Sequence, residues 1–379
     1  MQFIDLKAQQ FKIKEKIKSR IDKVLSHGKY IMGPEVFELE DILADYVGVK
    51  HCISCSSGTD ALMIPLMAKG IGPGDAVLTT PFTYIATGEV ISLLGATPIF
   101  SDICPKTFNI DPNLLESYIE EADSKGLKTK AIIPVHLFGQ PADMEKIVKI
   151  AKQNKLKIIE DNAQALGAAY TFNDGVNKKT GTIGDIGTTS FFPSKNLGAY
   201  GDGGAVYTNN DSLAKKIKIL ANHGMDKRYY HDFVGLNSRL DSMQAAILDV
   251  KLKYLDNYNE SRRNSALRYS NNLKGIDNLI TPNIPIHLQS HVFHQYTLRI
   301  LDSKRDLLTE YLAKNSIPFG IYYPVPLHMQ KAYYSPEVDN QLFQVTNRAV
   351  QEVISLPMHT ELTNDQIDYI SEKLIKFLN

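Results

Sequence analysis

One lysine, Lys195, stands where its neighbours are mostly small or apolar: Thr189-Ser190-Phe191-Phe192-Pro193-Ser194-Lys195-Asn196-Leu197-Gly198-Ala199-Tyr200-Gly201-Asp202-Gly203-Gly204. Partial burial lowers an amine's pKa, so a lysine between strand-like segments is a candidate for Schiff-base chemistry. The glycines beside it let backbone approach a flat ligand. A lysine in a plain glycine-rich turn would read the same way. Three further segments bear on the choice. Ser57-Gly58-Thr59-Asp60 lies where a strand gives way to a helix, a place that favours a phosphate or simply an N-cap. Ile158-Ile159-Glu160-Asp161-Asn162-Ala163-Gln164 ends an apolar run in Asp161. A buried acid there needs a cation such as a protonated pyridine nitrogen, unless it caps a helix. Thr80-Pro81-Phe82-Thr83-Tyr84 places rings just past a strand, suited to stacking on a flat ligand or to packing in the core.

A lysine, a strand-end acid, a phosphate cradle and a stacking aromatic together form the set that pyridoxal 5′-phosphate requires. Rival phosphate motifs fail. Gly201-Asp202-Gly203-Gly204 lacks the dinucleotide-binding spacing and leads into a strand, and Ser194-Lys195-Asn196 is not a P-loop. Cys52-Ile53-Ser54-Cys55 spells C-x-x-C, but residues three apart on a strand face opposite ways. With no second cysteine pair, buried inert thiols are expected and no metal is.

The elements that must position these residues alternate. Residues 9–26 carry Ile13, Ile17, Ile21 and Val24 at helical spacing, and Pro34 opens a second helix. Short strands are expected at 52–54, 76–79, 98–101, 131–135, 157–161, 187–192 and 204–207. Helices are expected at 61–68, 87–94, 112–122, 143–153 and 213–222. Such alternation implies an α/β fold with a mostly parallel sheet covered on both faces. Residues 56–60, 81–84, 136–140 and 161–164 all follow strands, so they converge at the strands' C-terminal edge. From residue 240 the texture changes: one long or kinked helix to 273, then proline-rich, β-rich pieces and a last helix from 364 to 377. The expected division is a large domain, 1–240, and a smaller α+β domain, 241–379. Lys+Arg and Asp+Glu are equal at 42 each, which argues against nucleic acid as a partner. No apolar run approaches a membrane span and the first residues are not a signal region, so a cytoplasmic location is expected.

In order and context these segments resemble the sugar aminotransferases of the DegT/DnrJ/EryC1/StrS group, within the aspartate-aminotransferase-like fold (fold type I). The resemblance spans nearly the whole chain. It lies in Gly33-Pro34-Glu35-Val36, Ser57-Gly58-Thr59-Asp60-Ala61-Leu62, Glu160-Asp161-Asn162-Ala163-Gln164, Ser194-Lys195 and Gly235-Leu236-Asn237-Ser238-Arg239-Leu240-Asp241. It implies that Lys195 bonds the cofactor, and relatives with histidine there are dehydratases. It implies that Asp161 meets the pyridine nitrogen and Gln164 lies near the ring hydroxyl. It implies phosphate contacts from Gly58, Thr59 and Ser190, and stacking by Tyr84, with Phe82 as the neighbouring alternative. Asn237 matches an asparagine that reaches the phosphate from the other subunit, which implies a homodimer with shared sites.

The reaction so implied moves an amino group from glutamate to a nucleotide-linked keto-sugar. Leu6-Lys7-Ala8-Gln9-Gln10 and Asn237-Ser238-Arg239 resemble enzymes that aminate C3 of a UDP-linked 2-acetamido-3-keto uronic acid for surface polysaccharide. Arg239 is expected at the substrate carboxylate, with an ion pair across the dimer contact, for instance to Asp241, as its structural alternative. Such relatives carry His-Tyr-Pro where this chain has Tyr322-Tyr323-Pro324, a loop expected to border the sugar. The alternatives are a different keto-sugar (dTDP-linked or 4-keto), a dehydratase, or a non-catalytic regulatory relative that binds the cofactor.

Overall fold

Two helices open the chain. α1 (Leu6–His27) buries Ile13, Ile17 and Val24, starts at Asp5, whose carboxylate accepts from the Ala8 N–H, and stops at left-handed Gly28. α2 (Pro34–Val47) follows Gly33. A Cβ on Gly33 would lie 2.6 Å from Ser242 Oγ, so only glycine lets the two segments meet there. The computed structural model describes residues 1–335 and 340–378.

Strands and helices then alternate: β1 (His51–Cys55), α3 (Gly58–Ala68), β2 (Asp75–Thr79), α4 (Ala86–Leu93), β3 (Thr97–Phe100), α5 (Leu115–Ser124), β4 (Lys128–Ile132), α6 (Met144–Gln153) and β5 (Lys157–Asp161). A polar hairpin intervenes, β6 (Ala169–Thr171) with β7 (Asn177–Lys179), before β8 (Ile186–Ser190), β9 (Gly204–Thr208) and α7 (Asp211–Ala221). The large sheet has the order β1-β9-β8-β5-β4-β2-β3. Its adjacent pairs are parallel except those of β9, which runs against both β1 and β8. The α/β class and mostly parallel sheet expected from the alternation are therefore present.

That one reversal positions the lysine. Ser190 pairs with Gly204, so residues 191–203 close a loop at the edge where β1, β5 and β8 all end. The loop is packed: Phe191, Leu197 and Ala199 are buried with Leu39 and Leu43 of α2. Burying Leu197 alone contributes about 2 kcal/mol to holding it.

A second hairpin, β10 (Met225–Lys227) with β11 (Tyr230–His231), projects before α8 (Ser242–Leu252) and α9 (Leu255–Asn272). The long or kinked helix expected from 240 to 273 is present as two helices broken at residues 253–254. The Tyr254 N–H bonds to the Lys251 carbonyl, a tightened turn, and Leu252 and Leu255 on either side both reach one core. β12 (Leu279–Ile280), β13 (Tyr296–Ile300), α10 (Arg305–Lys314), α11 (Gln344–Glu352), β14 (Val353–Leu356) and α12 (Asn364–Leu378) complete the chain. Antiparallel β12, β13 and β14 share a core with α9, α10 and α12. The strand expected at 187–192 ends earlier, at Ser190, and the helix expected from 61 starts at Gly58. Cys52 and Cys55 are buried in different cores on the two faces of β1, and burial raises both thiol pKa values. Among the described residues no helix is long and apolar enough to cross a membrane.

Candidate active site

The strand ends open onto a cleft of about 410 Å³. Gly58, Thr59, Tyr84, Asp161 and Gln164 line it. So do Ser190, Lys195, Tyr322 and Tyr323. Nine candidates separated by up to most of the chain length thus share one cavity.

α3 begins at this cleft. Its cap, Ser57, accepts from the Asp60 N–H at 3.1 Å, and the first main-chain bond runs from Ala61 N–H to the Ser57 carbonyl. The N–H groups of Gly58 and Thr59 precede that bond and have no partner within the helix. A Cβ on Gly58 would lie 2.6 Å from Ser190 Cβ, and one on Gly204 would lie 2.4 Å from the Ser57 carbonyl. The glycines therefore bring the helix start tight against the ends of β8 and β9, a concave cradle with donors aimed inward.

Asp161, the last residue of β5, is 6% exposed. Its Oδ2 accepts from Thr87 Oγ1 at 2.9 Å and its Oδ1 from the Ala163 N–H at 3.2 Å. Thr83 and Thr87, four residues apart, touch hydroxyl to hydroxyl at 3.1 Å. Alternation along β5 sends Glu160 to the other face. There it accepts from His136 Nε2 (2.8 Å) and from the N–H groups of Gly181 (2.8 Å), Ile183 (2.6 Å) and Gly184 (2.6 Å). The Ala142 N–H donates to His136 Nδ1, which leaves the ring proton on Nε2 to meet Glu160. Glu160 is a structural anchor, and Asp161 is the acid of the cleft.

Lys195 is half-buried, with its amine end enclosed. Burial lowers its pKa from 10.5 to about 8, against a smaller opposing pull from the Asp161 charge. The next residue is locked. Asn196 Nδ2 donates to Asn259 Oδ1 (2.6 Å) and to the Val292 carbonyl (3.2 Å), and its Oδ1 faces His294 Nδ1 at 3.1 Å. Gln164 is fixed at both ends: Oε1 accepts from the Phe138 N–H at 2.6 Å, and Nε2 donates to the Tyr323 hydroxyl at 3.2 Å. Burial raises the Tyr323 phenol pKa, so it remains protonated. Tyr84 is 61% exposed at the rim, whereas Phe82 is fully buried among Phe108, Phe138 and Tyr323. Of the two aromatics, only Tyr84 faces the cleft.

Asn237 and Arg239 lie outside the cleft of their own chain. Ser238 and Leu240 turn inward, so residues 237 and 239 share the outward side. Asn237 bridges to Asn222, and Arg239 Nη1 donates to Asn222 Oδ1 at 3.1 Å. Sequence reasoning overlooked Thr87, His294, Gln295 and Ile4, which line the cleft. The spacing of Thr83 and Thr87 on an otherwise apolar helix start was a usable signal for the first. His294 and Gln295 sit in a β-rich run with nothing to mark them.

These residues fit pyridoxal phosphate. The cradle at Gly58 offers phosphate donors, Asp161 offers a held carboxylate, and Lys195 offers an amine with a lowered pKa. Fold and site together define a pyridoxal-phosphate enzyme of fold type I. The chain belongs to the DegT/DnrJ/EryC1/StrS aminotransferase family, whose sequence model matches residues 11–375, and it is a pyridoxal-phosphate-dependent sugar aminotransferase. It is 46% identical over 374 residues to a UDP-2-acetamido-2-deoxy-3-oxo-D-glucuronate aminotransferase of Pseudomonas aeruginosa, covering 99% of each chain. It is 45% identical to a protein of Geobacillus stearothermophilus named pleiotropic regulatory protein, covering 99% of this chain and 97% of that one. A crystal structure of a family aminotransferase from Brucella abortus superposes with a TM-score of 0.95 at 41% identity, covering 100% of both chains.

Proposed function

We propose that the enzyme transfers an amino group from glutamate to C3 of a UDP-linked 2-acetamido-3-keto uronic acid, for surface polysaccharide and in the cytoplasm. The observation that carries this reading is the 46% identity, over 99% of both chains, to the Pseudomonas enzyme whose name states that substrate. Asn237-Ser238-Arg239 supports it, since an outward arginine suits a carboxylate. The proposed assembly is a homodimer in which Asn237 and Arg239 complete the partner's cleft.

In this reading Gly58, Thr59 and Ser190 hold the cofactor phosphate. Asp161 would meet the pyridine nitrogen, Gln164 the ring hydroxyl and Tyr84 the ring face, and Tyr322 and Tyr323 would border the sugar. The cofactor, when bound, supplies an electron sink for the carbon that loses a proton. Lys195 moves that proton: with a pKa of about 8 its amine can accept and return it near neutral pH. Thr87 holds the Asp161 carboxylate in place. Asn196, bonded to Asn259, Val292 and His294, anchors the chain beside Lys195.

The Geobacillus relative bears a regulatory name, whereas Lys195 and Asp161 of this chain both stand in the cleft. The test is a panel of keto-sugar nucleotides with ¹⁵N-glutamate. Label is expected in a UDP-linked 3-amino uronic sugar. Label only in a dTDP-linked or 4-amino product would assign a different sugar, and no labelled product with any of them would reject transamination.

A further inference from the structure

The cleft has two sides of different origin. Its floor is built from the large sheet and its helices, through Thr59, Asp161, Ser190 and Lys195. Its opposite wall includes Tyr322 and, from the very start of the chain, Ile4. Phe3 packs its ring on Tyr322, with centroids 6.2 Å apart and planes tilted by 43°. Residues 3 and 4 precede α1, so they form a short strap across the wall.

The Tyr322 part of this wall hangs from β14. Gly320 and Ser355 of β14 exchange main-chain hydrogen bonds at 3.0 and 2.7 Å, which carries the Tyr322 loop. A Cβ on Gly320 would lie 2.5 Å from the Tyr322 ring, so the glycine makes room for that ring. The helix that follows the strap is tied just beyond β14. Gln9 Nε2 donates to Thr360 Oγ1 at 3.2 Å, Lys12 pairs with Glu361, and Ser261 Oγ holds the Thr360 carbonyl at 3.0 Å. Asp5 caps the helix start. The strap is thus placed by the ring contact of Phe3 on Tyr322 and by the anchoring of the helix it leads into.

We infer that Phe3 and Ile4, with Tyr322, form a specificity wall that packs on the C–H face of the sugar ring. The inference rests on the proposed substrate class and deepens it. Ile4 can offer only hydrocarbon, and Phe3 acts by bracing the Tyr322 ring. Neither carries a charge, so the wall does not suit a diphosphate. A pyranose presents a C–H face that gains by burial against hydrocarbon and aromatic carbon. Phe3 is a positioning residue here, and Ile4 a contact residue.

The test uses the full-length holoenzyme and two stable probes, UDP and UDP-N-acetylglucosaminuronic acid, with titration calorimetry for each. Ile4→Ala is expected to weaken the sugar-bearing probe roughly tenfold, the scale of losing somewhat under two buried methylene equivalents. It should shift UDP by less than twofold. Phe3→Ala should weaken the sugar probe less, and Phe3→Tyr should restore it. In turnover both alanine variants should raise KM for the keto-sugar more than they lower kcat. Equal loss for UDP and the sugar probe, or no loss for either, would overturn the wall. Normal melting profiles separate these results from misfolding, and Ile4→Val covers a misfolded Ile4→Ala with a smaller expected loss. Failure of the wild-type enzyme on every keto-sugar nucleotide would instead remove the substrate class and this inference with it, a result read before any variant.

Discussion

Asn196 and His294 face each other at 3.1 Å, and their contact fixes a proton. The Val292 carbonyl can only accept, so the Asn196 nitrogen must point to it and the oxygen to His294. His294 Nδ1 therefore donates, and the ring is neutral or holds its second proton at Nε2. Burial lowers the His294 pKa well below 6.5, with the charges of Lys195 and Arg262 acting the same way. A histidine depressed in the folded state binds protons first when unfolded. Stability should therefore fall as pH drops below about 6.5, by up to about 1.4 kcal/mol per pH unit for each such histidine. His291 (down to about 3), His328 and His359 act in the same sense. His294→Gln retains a donor without titrating, so urea midpoints measured from pH 7 to 5 should fall less steeply. His294→Leu strands the Asn196 oxygen and should cost about 1–3 kcal/mol at neutral pH. An unchanged slope in the Gln variant would sink this account.

Lys195 makes a prediction of the same sense in a higher pH window. Its ammonium is disfavoured by burial, so below about pH 8 the folded apoenzyme carries that cost. The cost is relieved as pH rises from the folded pKa of about 8 toward the ordinary 10.5. Apo Lys195→Met should be more stable than apo wild type by about 2 kcal/mol at pH 7. The difference should shrink above pH 8, as read by chemical denaturation. Reconstitution should give a yellow protein, and borohydride should fix the cofactor to the peptide containing Lys195. Attachment to another lysine would remove the assignment.

Much of this site was legible because its parts are local. A strand end, a glycine-flanked lysine and a small polar helix start are each marked within a few residues, and the alternation of strands and helices gathers them at one edge. What escaped depends on long-range packing. Asp161 reads from the sequence as the site acid, but the anchoring role of its neighbour Glu160 depends on His136 and on the N–H groups of residues 181–184, distant in sequence. Ile4 looks like any apolar residue ahead of a helix until the fold brings it to the cleft that Tyr322 also lines. The break near Tyr254 follows from tertiary packing of Leu252 and Leu255, which helix periodicity does not report.

The shared-site assembly is open to a direct test. Asn237 lies on the outward side of its segment, away from its own chain's cleft. In a two-fold dimer the same segment can serve the partner. Lys195→Ala and Asn237→Ala chains should each be nearly inactive. Mixed with subunit exchange, they should recover up to about a quarter of wild-type activity, since random mixing makes half the dimers heterodimeric with one intact site each. Exchange demonstrated by mass-tagged chains without recovery would reject sharing.

Arg239 is held by Asn222, a neutral amide, and not by Asp241. Its positive charge therefore has no carboxylate within ion-pair distance among the described residues. An arginine so placed, outward and beside Asn237, suits an anion brought by the partner's cleft. If that anion is the sugar carboxylate, Arg239→Lys should weaken use of the uronic keto-sugar by about 1.5–3 kcal/mol in kcat/KM, because the planar two-point pairing is lost. The same variant should handle the non-uronic UDP-linked keto-sugar almost as well as wild type. It should also retain its dimer by sedimentation and its cofactor absorbance. Equal losses on both sugars would move Arg239 to the nucleotide phosphates. Collapse to monomers would make it an interface residue, and no loss on the uronic sugar would reject its part in substrate choice.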